Sequence, residues 1–284
     1  MDNSTFSLEN ANLAIVGLGL MGGSLALSLK DRCKHIAALD PDDEVISCAL
    51  EKKIVHRASS EPKEILENAD IVVLACPVRT IIEWVRRLPD HISQPCVVMD
   101  LGSTKARIMN AYDGLPDNFH PVGGHPICGK EQLSVKNSNA DLFREAYFAL
   151  VKAIRSSEKA ENTAENIVEA AGAKPIWLDT ETHDRALAAT SHLPYLIAST
   201  LMMGIQDQDQ KLIGPGLRST TRLAGTPISM MLDVLETNRE RVLKEIDKFR
   251  YNLGKIETAL RGIDEEGLKK MLDSANSKYQ SLIG

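Results

Sequence analysis

Residues 14–26 read Ala14-Ile-Val-Gly17-Leu-Gly19-Leu20-Met21-Gly22-Gly-Ser-Leu-Ala26, a short apolar strand that leads through a glycine-rich turn into a helix. In such a G-x-G-x-x-G turn the first glycine permits the tight turn, the second lets the backbone approach a pyrophosphate, and the third lets the helix pack against its strand. The helix N-terminus attracts phosphate charge. The stretch therefore predicts a dinucleotide site that includes Leu20 and Met21. The alternative is a glycine-rich strand–helix turn without a ligand.

An acidic residue follows this turn at a suitable distance. Asp40 ends the second apolar run, His35-Ile-Ala-Ala-Leu, and lies eighteen residues after Gly22. A carboxylate at this position can accept hydrogen bonds from the adenosine ribose. Asp42 and Asp43 add negative charge where a 2′-phosphate would sit, and no arginine follows at once. We therefore expect NAD as the cofactor rather than NADP.

The composition is that of a soluble globular protein of one large or two ordinary domains, with 284 residues, 25% charged and 43% hydrophobic. A net charge of −6 without a basic, aromatic-rich cluster argues against nucleic-acid binding. No signal peptide is evident, and apolar runs of about strand length predict no membrane span. The scattered cysteines indicate reduced thiols in a cytoplasmic protein; they are Cys33, Cys48, Cys76, Cys96 and Cys128.

Strands and helices alternate along the first part of the chain. We predict strands at 13–17, 35–40, 70–76, 96–101, 119–123, 147–152 and 175–178, with helices at 20–31, 42–53, 61–68, 78–88, 104–112 and 157–171. Continuous apolar strands separated by helices favour a doubly wound, mostly parallel α/β sheet of the Rossmann type. After residue 180 the pattern is helical, over 182–206, 227–260 and 264–281. We expect a dinucleotide-binding domain at 1–180 and a helical substrate and dimerisation domain at 181–284.

An apolar stripe at helical spacing runs along residues 227–260. Few helices would be available to bury it within one chain, so we expect a homodimer that shares these helices. The alternative is packing of the stripe against the first domain.

Polar residues follow the predicted strands at the edge of the sheet where ligands of open α/β sheets bind. Pro77, Ser103 and His125 lie at three such strand ends, and Ser103 and His125 should converge on the nicotinamide end of the cofactor. His125, in a loop between Gly-Gly and Pro, can take a proton near neutral pH. The alternatives are a structural histidine, a helix-capping Ser103 and a metal site of His125 with Cys128, which we do not favour.

The helical part carries two further polar groups. Ser191 and His192 are helix neighbours that point to different sides, so they do not suit a nucleophilic pair. Arg222 follows a glycine-rich loop and suits recognition of a carboxylate. A solvated surface arginine is the alternative.

Together these motifs resemble the prephenate/arogenate dehydrogenase family of tyrosine biosynthesis over nearly the whole chain. The resemblance is carried by Gly17–Gly22, Asp100-Leu-Gly-Ser103-Thr-Lys105, Gly123-Gly-His125-Pro-Ile-Cys-Gly129, His183-Asp184, Ser191-His192-Leu-Pro194 and Thr221-Arg222. It implies oxidative decarboxylation of prephenate to 4-hydroxyphenylpyruvate, with hydride transfer to NAD.

The resemblance also implies roles for individual residues. His125 would draw off the proton of the ring hydroxyl, and Ser103 would hold that hydroxyl. Arg222 would bind a substrate carboxylate, with His192 and Ser191 in the same pocket. Glu131 matches a position that controls access to the pocket.

Three positions depart from the family pattern. Ser219 stands where many members carry an acid that goes with arogenate preference, so we expect prephenate as the substrate. Tyr195 replaces a second histidine, and Met231 lies near a position that is tryptophan in other members. Arogenate oxidation, giving tyrosine directly, is the main alternative function.

Two rivals come from other classes. A β-hydroxyacid-type dehydrogenase would need a catalytic lysine in the helical domain, where Lys211 is the main candidate. A non-catalytic NAD-binding sensor would need the glycine turn, but not Ser103, His125 and Arg222 together.

Overall fold

A single eight-stranded sheet forms the centre of the computed structural model, which describes residues 7–129 and 134–283. Its strands are Asn12–Val16 (β1), His35–Leu39 (β2), Arg57–Ser59 (β3), Ile71–Leu74 (β4), Cys96–Asp100 (β5), Phe119–Pro126 (β6), Tyr147–Lys152 (β7) and Lys174–Leu178 (β8). Their order across the sheet is β3-β2-β1-β4-β5-β6-β7-β8.

Helices connect and follow these strands. Their bounds are Leu20–Leu29 (α1), Asp43–Glu51 (α2), Pro62–Leu66 (α3), Val78–Arg87 (α4), Ala106–Tyr112 (α5), Glu158–Ala170 (α6), Thr180–Leu187 (α7), Leu193–Met203 (α8), Pro215–Thr221 (α9), Ile228–Thr237 (α10), Arg239–Arg261 (α11) and Glu265–Leu282 (α12).

The sheet is parallel except at one pair, β6 with β7. The predicted fold class, a mostly parallel doubly wound sheet followed by helices, is therefore confirmed. The first six strands have the order of a dinucleotide-binding sheet, and the chain direction across the sheet reverses between β1 and β4. Ligands of such sheets bind in the crevice at this reversal point, beyond the carboxyl ends of the strands.

Two apolar clusters cover the two faces of the sheet. Successive residues of β1 alternate between them: Leu13 and Ile15 pack in one cluster, Ala14 and Val16 in the other. Because side chains of a strand point to opposite faces in turn, both faces of the central strands are buried. This explains why these strands are apolar without interruption.

The structure differs from the predicted elements at several places. Helix α9 begins at Pro215, in a stretch that was predicted as a loop between helices. Strand β3 was not predicted, because Arg57-Ala-Ser59 is short and polar and lies at the edge of the sheet. The predicted helix 227–260 is two helices that meet at Asn238, whose ψ is 23°. His125 lies in strand β6 and not in a loop, because antiparallel pairing with Ala149 of β7 extends β6 beyond its parallel neighbour.

Helix α7 continues into α8 through a wider π-type turn, Ala188–His192, in which the Leu193 N–H donates to the Ala188 carbonyl. Such turns are frequent at functional sites. By length and composition alone, the continuous segment Thr180–Met203 could cross a membrane, which the sequence analysis did not anticipate; only 17% of its apolar window is buried within the chain.

The apolar stripe of residues 227–260 is covered only in part. Met231, Val234 and Val242 are buried, and α10 packs against α4 of the sheet region. Packing against the first part of the chain, the alternative weighed above, thus accounts for this end of the stripe. Farther along, large apolar side chains are exposed, among them Leu243, Tyr251, Leu253 and Leu260.

Gly124 provides a test of how closely β5 and β6 approach. A Cβ there would lie 2.6 Å from the carbonyl oxygen of Asp100, so Gly124→Ala must push the two strands apart. We expect a loss of unfolding free energy of about 1–3 kcal/mol, as for other overpacked sites, measured by urea denaturation. Gly216→Ala is the matched control, because nothing lies within 4 Å of its Cβ. Equal stability of both variants would contradict the close approach.

Candidate active site

The glycine turn after β1 has the geometry of a phosphate-binding turn. Gly17 has φ +99°, and a Cβ there would lie 2.7 Å from the carbonyl oxygen of Ala75. A Cβ at Gly22 would lie 2.0 Å from the Gly17 carbonyl oxygen, so α1 packs directly on the turn. Gly19 is the N-cap residue of α1, and no side chain caps this helix end. Because α1 begins just after the carboxyl end of β1, its first backbone N–H groups, from Leu20 and Met21 onward, lie at the crevice edge of the sheet, where they suit a bound anion.

Asp40 is fixed beside this turn at the end of β2. Its Oδ2 accepts a hydrogen bond from the Leu18 N–H at 2.8 Å, and its Oδ1 accepts from the Asp42 N–H at 3.1 Å. The carboxylate is half-buried and retains free lone pairs, since each oxygen can accept two hydrogen bonds. Its position suits a hydroxyl-bearing group held on the glycine turn.

Three other predicted residues follow the neighbouring strands. Pro77 is exposed and precedes α4 after β4. Ser103 is half-buried in the loop between β5 and α5. It is not the N-cap of α5, which begins at Ala106 after Lys105. His125 lies on β6, the strand next to β5, so the strands bring Ser103 and His125 to the same edge of the sheet.

His125 is joined to a second histidine and a carboxylate. Its Nδ1 lies 2.9 Å from His183 Nε2, and His183 Nδ1 lies 2.7 Å from Asp184 Oδ1. Both partners belong to α7 and have no solvent exposure. We call these contacts the His125–His183–Asp184 chain. They were not predicted from the sequence, in which His183-Asp184 was evident only as part of a family motif.

Asp184 also caps a helix of the sheet region. The backbone N–H groups of Lys105 and Ala106 donate to its two carboxylate oxygens at 2.7 and 2.9 Å. The α5 N-terminus has no other side-chain cap. The Ser103 loop is thereby fixed to α7, the helix that carries His183.

Burial keeps the imidazoles of the site neutral. It lowers the pKa of His125 well below the ordinary value, and the neighbouring His183, Lys105 and His192 lower it further. Burial also lowers the pKa of His183, although Asp184 opposes this change. Burial raises the pKa of the Asp184 carboxyl, but hydrogen bonds from His183, Ala106 and Lys105 outweigh burial, so the net pKa lies below its usual value.

His192 is fixed from the other side of Asp184. The side-chain amide of Asn238 donates to the Asp184 carbonyl at 2.7 Å and lies 3.3 Å from His192 Nδ1. Because an amide nitrogen only donates, a neutral His192 accepts at Nδ1 and carries its proton on Nε2. Burial lowers the pKa of His192 to about 4. Its neighbour Ser191 is exposed.

A buried ion pair lies beneath the site. Lys105 and Asp100 have no solvent exposure and contact each other through Nζ and Oδ2. The Asp100 carboxylate also accepts from the Gly102 N–H at 2.9 Å and from the Tyr112 hydroxyl at 3.2 Å. Burial lowers the pKa of Lys105, and Asp100 opposes this. These contacts fix the position of the loop that carries Ser103.

The remaining predicted residues lie farther along the chain. Arg222 is exposed at the start of the turn Arg222–Gly225, which packs against α8. Ser219 lies on α9, and Lys211 is exposed on the turn Asp207–Leu212. Glu131 lies outside the described residues. Within 7–129 and 134–283, no group of three or more His, Cys, Asp or Glu could hold a metal ion.

This sheet, its glycine turn and the imidazole of His125 at the end of a nearby strand define a dinucleotide-dependent dehydrogenase. The chain belongs to the prephenate dehydrogenase family. Residues 25–177 match the family model described as prephenate dehydrogenase, nucleotide-binding domain, and residues 179–274 match prephenate dehydrogenase, dimerization domain.

Individual relatives agree with this family. The chain is 26% identical over 280 residues to the prephenate dehydrogenase of Bacillus subtilis, covering 95% of this chain and 76% of that protein. It is 26% identical to the cyclohexadienyl dehydrogenase of Zymomonas mobilis, covering 90% and 91%. A crystal structure of prephenate dehydrogenase from A. aeolicus, in complex with hydroxyphenyl propionate and NAD⁺, superposes with a TM-score of 0.89 at 29% identity, covering 98% and 100%.

Because the histidines of the site are neutral in the folded protein, we expect the free energy of unfolding to fall in acid. Because the pKa of folded His192 is about 4 and that of an unfolded histidine about 6.5, the unfolded chain takes up the proton first as the pH falls. Between pH 6.5 and pH 4, His192 alone should lower the free energy of unfolding by about 3 kcal/mol, at 1.36 kcal/mol per pKa unit.

Urea denaturation at several pH values measures this effect. His192→Gln should flatten the dependence on pH, whereas His91→Gln, outside the cluster, should leave it unchanged. A stability that is constant between pH 7 and pH 5 would contradict a buried neutral cluster.

Proposed function

We propose that this chain catalyses the NAD-dependent oxidative decarboxylation of prephenate to 4-hydroxyphenylpyruvate in tyrosine biosynthesis. The observation that carries the proposal is the imidazole of His125, which lies near the end of β6 at the same edge of the sheet as the glycine turn, with its Nδ1 2.9 Å from His183 Nε2. Membership of the prephenate dehydrogenase family supports the substrate class.

The residues around the glycine turn fit an NAD molecule. Gly17 and Gly22 let the turn and α1 pack closely, Gly19 lets a pyrophosphate approach the backbone, and the uncapped N-terminus of α1 offers backbone N–H donors. Asp40 accepts hydrogen bonds from the ribose and repels a 2′-phosphate, so NAD binds in preference to NADP. Pro77 lines the crevice after β4. The bound nicotinamide accepts a hydride from the substrate.

His125 acts as the general base of the reaction. It takes the proton of the ring hydroxyl as the hydride leaves the same ring carbon, and the ring carboxylate departs as carbon dioxide. The electron pair of the broken C–C bond completes the aromatic ring. Ser103 holds the hydroxyl within reach of His125. The gain of aromaticity supplies driving force, so the site needs positioning and a base.

The helical part completes the substrate pocket. Arg222 binds a substrate carboxylate, His192 donates a hydrogen bond from Nε2, and Ser191 belongs to the same pocket. Glu131 controls access to this pocket, as the family position that it matches implies. Ser219, in place of an acid, leaves no partner for the amine of arogenate, which favours prephenate. Arogenate remains the second candidate because a relative is named cyclohexadienyl dehydrogenase.

The active unit is a homodimer in the cytoplasm, with a division of the chain near residue 180. The dimerization-domain model covers residues 179–274, and the exposed apolar side chains of α8 and α11 need a cover that a second copy supplies. The same cover accounts for the apolar segment Thr180–Met203 without a membrane. Strand β8 ends at Leu178, and the first family model ends at residue 177.

The direct test follows NADH formation with prephenate and with arogenate side by side. We expect turnover with prephenate, and a decrease of kcat by about 10²–10⁴-fold in His125→Asn, the usual worth of a general base. The affinity for NAD, measured by calorimetry, should be unchanged because His125 lies outside the glycine turn.

Three results would count against parts of this proposal. Absence of NADH with both substrates would exclude the proposed reaction. Full activity of His125→Asn would show that His125 is not the base. A preference for arogenate would contradict the interpretation that Ser219 favours prephenate.

A further inference from the structure

We propose that His183 and Asp184 are positioning residues that fix the tautomer of His125, leave its Nε2 free to take a proton, and balance the charge that results. This inference rests on the proposed role of His125 as the base. It assigns a function to a buried pair that no part of the mechanism above uses.

The hydrogen-bond donors to Asp184 are unambiguous, so the proton positions can be assigned from this residue. The backbone N–H groups of Lys105 and Ala106 can only donate, and each points at one oxygen of the carboxylate. Arg241 adds positive charge, with its Nη1 3.9 Å from Oδ2. A carboxyl group that accepts at both oxygens in this way is ionised, and it also requires a donor from the third contact, His183 Nδ1.

The proton positions of both histidines then follow. His183 carries its proton on Nδ1, so its Nε2, when the ring is neutral, holds a lone pair. This lone pair faces His125 Nδ1 at 2.9 Å and requires an N–H from it. His125 is therefore protonated at Nδ1, and its second nitrogen, Nε2, is left as the proton acceptor.

The opposite arrangement has a specific cost. If His183 were protonated on both nitrogens, it would donate to His125 Nδ1, and a neutral His125 would then carry its proton on Nε2 and lose its function as a base. That state places a cation in a site with no solvent exposure, near the ammonium of Lys105. The lowered pKa of His183 agrees with the neutral ring.

Asp184 also offsets the charge that forms during the reaction. When His125 takes a proton, its Nδ1–H still donates to His183, and His183 still donates to the carboxylate. Among residues 7–129 and 134–283, the charged groups that face this chain are Lys105 and Asp100, which pair with each other, and Arg241; His192 is neutral. Asp184 is thus the nearby negative charge that is coupled to His125 through hydrogen bonds. This is the role of the carboxylate in a Ser–His–Asp triad, extended here by one imidazole.

The test compares Asp184→Asn with Asp233→Asn. Asp233 is a matched control, because it is another buried carboxylate of the helical region that accepts hydrogen bonds from the sheet region, at Arg79, and it does not contact the histidines. In Asp184→Asn the amide can donate to His183 and reverse both tautomers. We expect kcat for prephenate to fall by about 10²–10⁴-fold, as for loss of the correct tautomer in a triad, with KM changed less than threefold.

The dependence on pH separates positioning from a structural role. The rise of kcat with pH should move to lower pH in Asp184→Asn, because the protonated His125 has lost its carboxylate. Asp233→Asn should keep the pH profile of the unmodified enzyme, even if its melting temperature falls by the same amount. A side-chain ¹⁵N titration of His125 should show the same lowered pKa without any need for turnover.

His183→Gln is the second variant, and it applies even if Asp184→Asn does not fold. Its amide oxygen can accept from His125 Nδ1 and preserve the tautomer, so it should retain more activity than His183→Leu. Unchanged kcat and pH profile in Asp184→Asn, with His125→Asn inactive, would overturn this inference and leave the proposed function standing. If the unmodified enzyme makes no NADH, the proposed function fails, and the ¹⁵N titration still decides the tautomer.

Discussion

The buried carboxylate of Asp184 is the constraint on which the site depends. It accepts two backbone N–H groups at the start of α5 and one imidazole N–H from its own helix. The first two contacts fix the helical region to the loop that carries Ser103. The third sets the orientation of His183, and through it that of His125. One ionised group thus couples the alignment of two parts of the chain to the proton positions of the base.

Burial of these side chains affects both the stability of the protein and the chemistry of the site. Buried imidazoles are held neutral, which removes stability in acid but provides a ring with an unprotonated nitrogen. Asn238 fixes the proton position of His192, since its side-chain amide donates to both His192 and the Asp184 carbonyl. The proton positions of His183 and His192 each follow from a group that can only accept or only donate, and that of His125 follows in turn from His183.

Much of the sheet could be predicted from the sequence, because its signals are local. Apolar runs and the spacing of Gly17, Gly19 and Gly22 specify strands, turn and helix without knowledge of distant residues. Strand β3 could not be predicted, since three residues at a sheet edge carry too little apolar pattern. The strand position of His125 was missed for another reason: it depends on pairing with Ala149, twenty-four residues away.

The site was predictable only as a set of residues around one edge of the sheet. Ser103 and His125 follow from the topology, since neighbouring parallel strands end together. The contact of Asp184 with Lys105 joins residues 79 positions apart, and Asn238 marks a helix break that no glycine or proline announces. The His183-Asp184 pair is visible in the sequence. Its role could be inferred only from the structure, which shows the short distance between the imidazoles of His125 and His183.

Neutron diffraction from a deuterated crystal near pH 7 tests the central claim most directly, because it locates the protons on the rings. We expect deuterium on Nδ1 of both His125 and His183, with no deuterium on His183 Nε2 or His125 Nε2. Deuterium on both nitrogens of His183, with His125 carrying its own on Nε2, would contradict it.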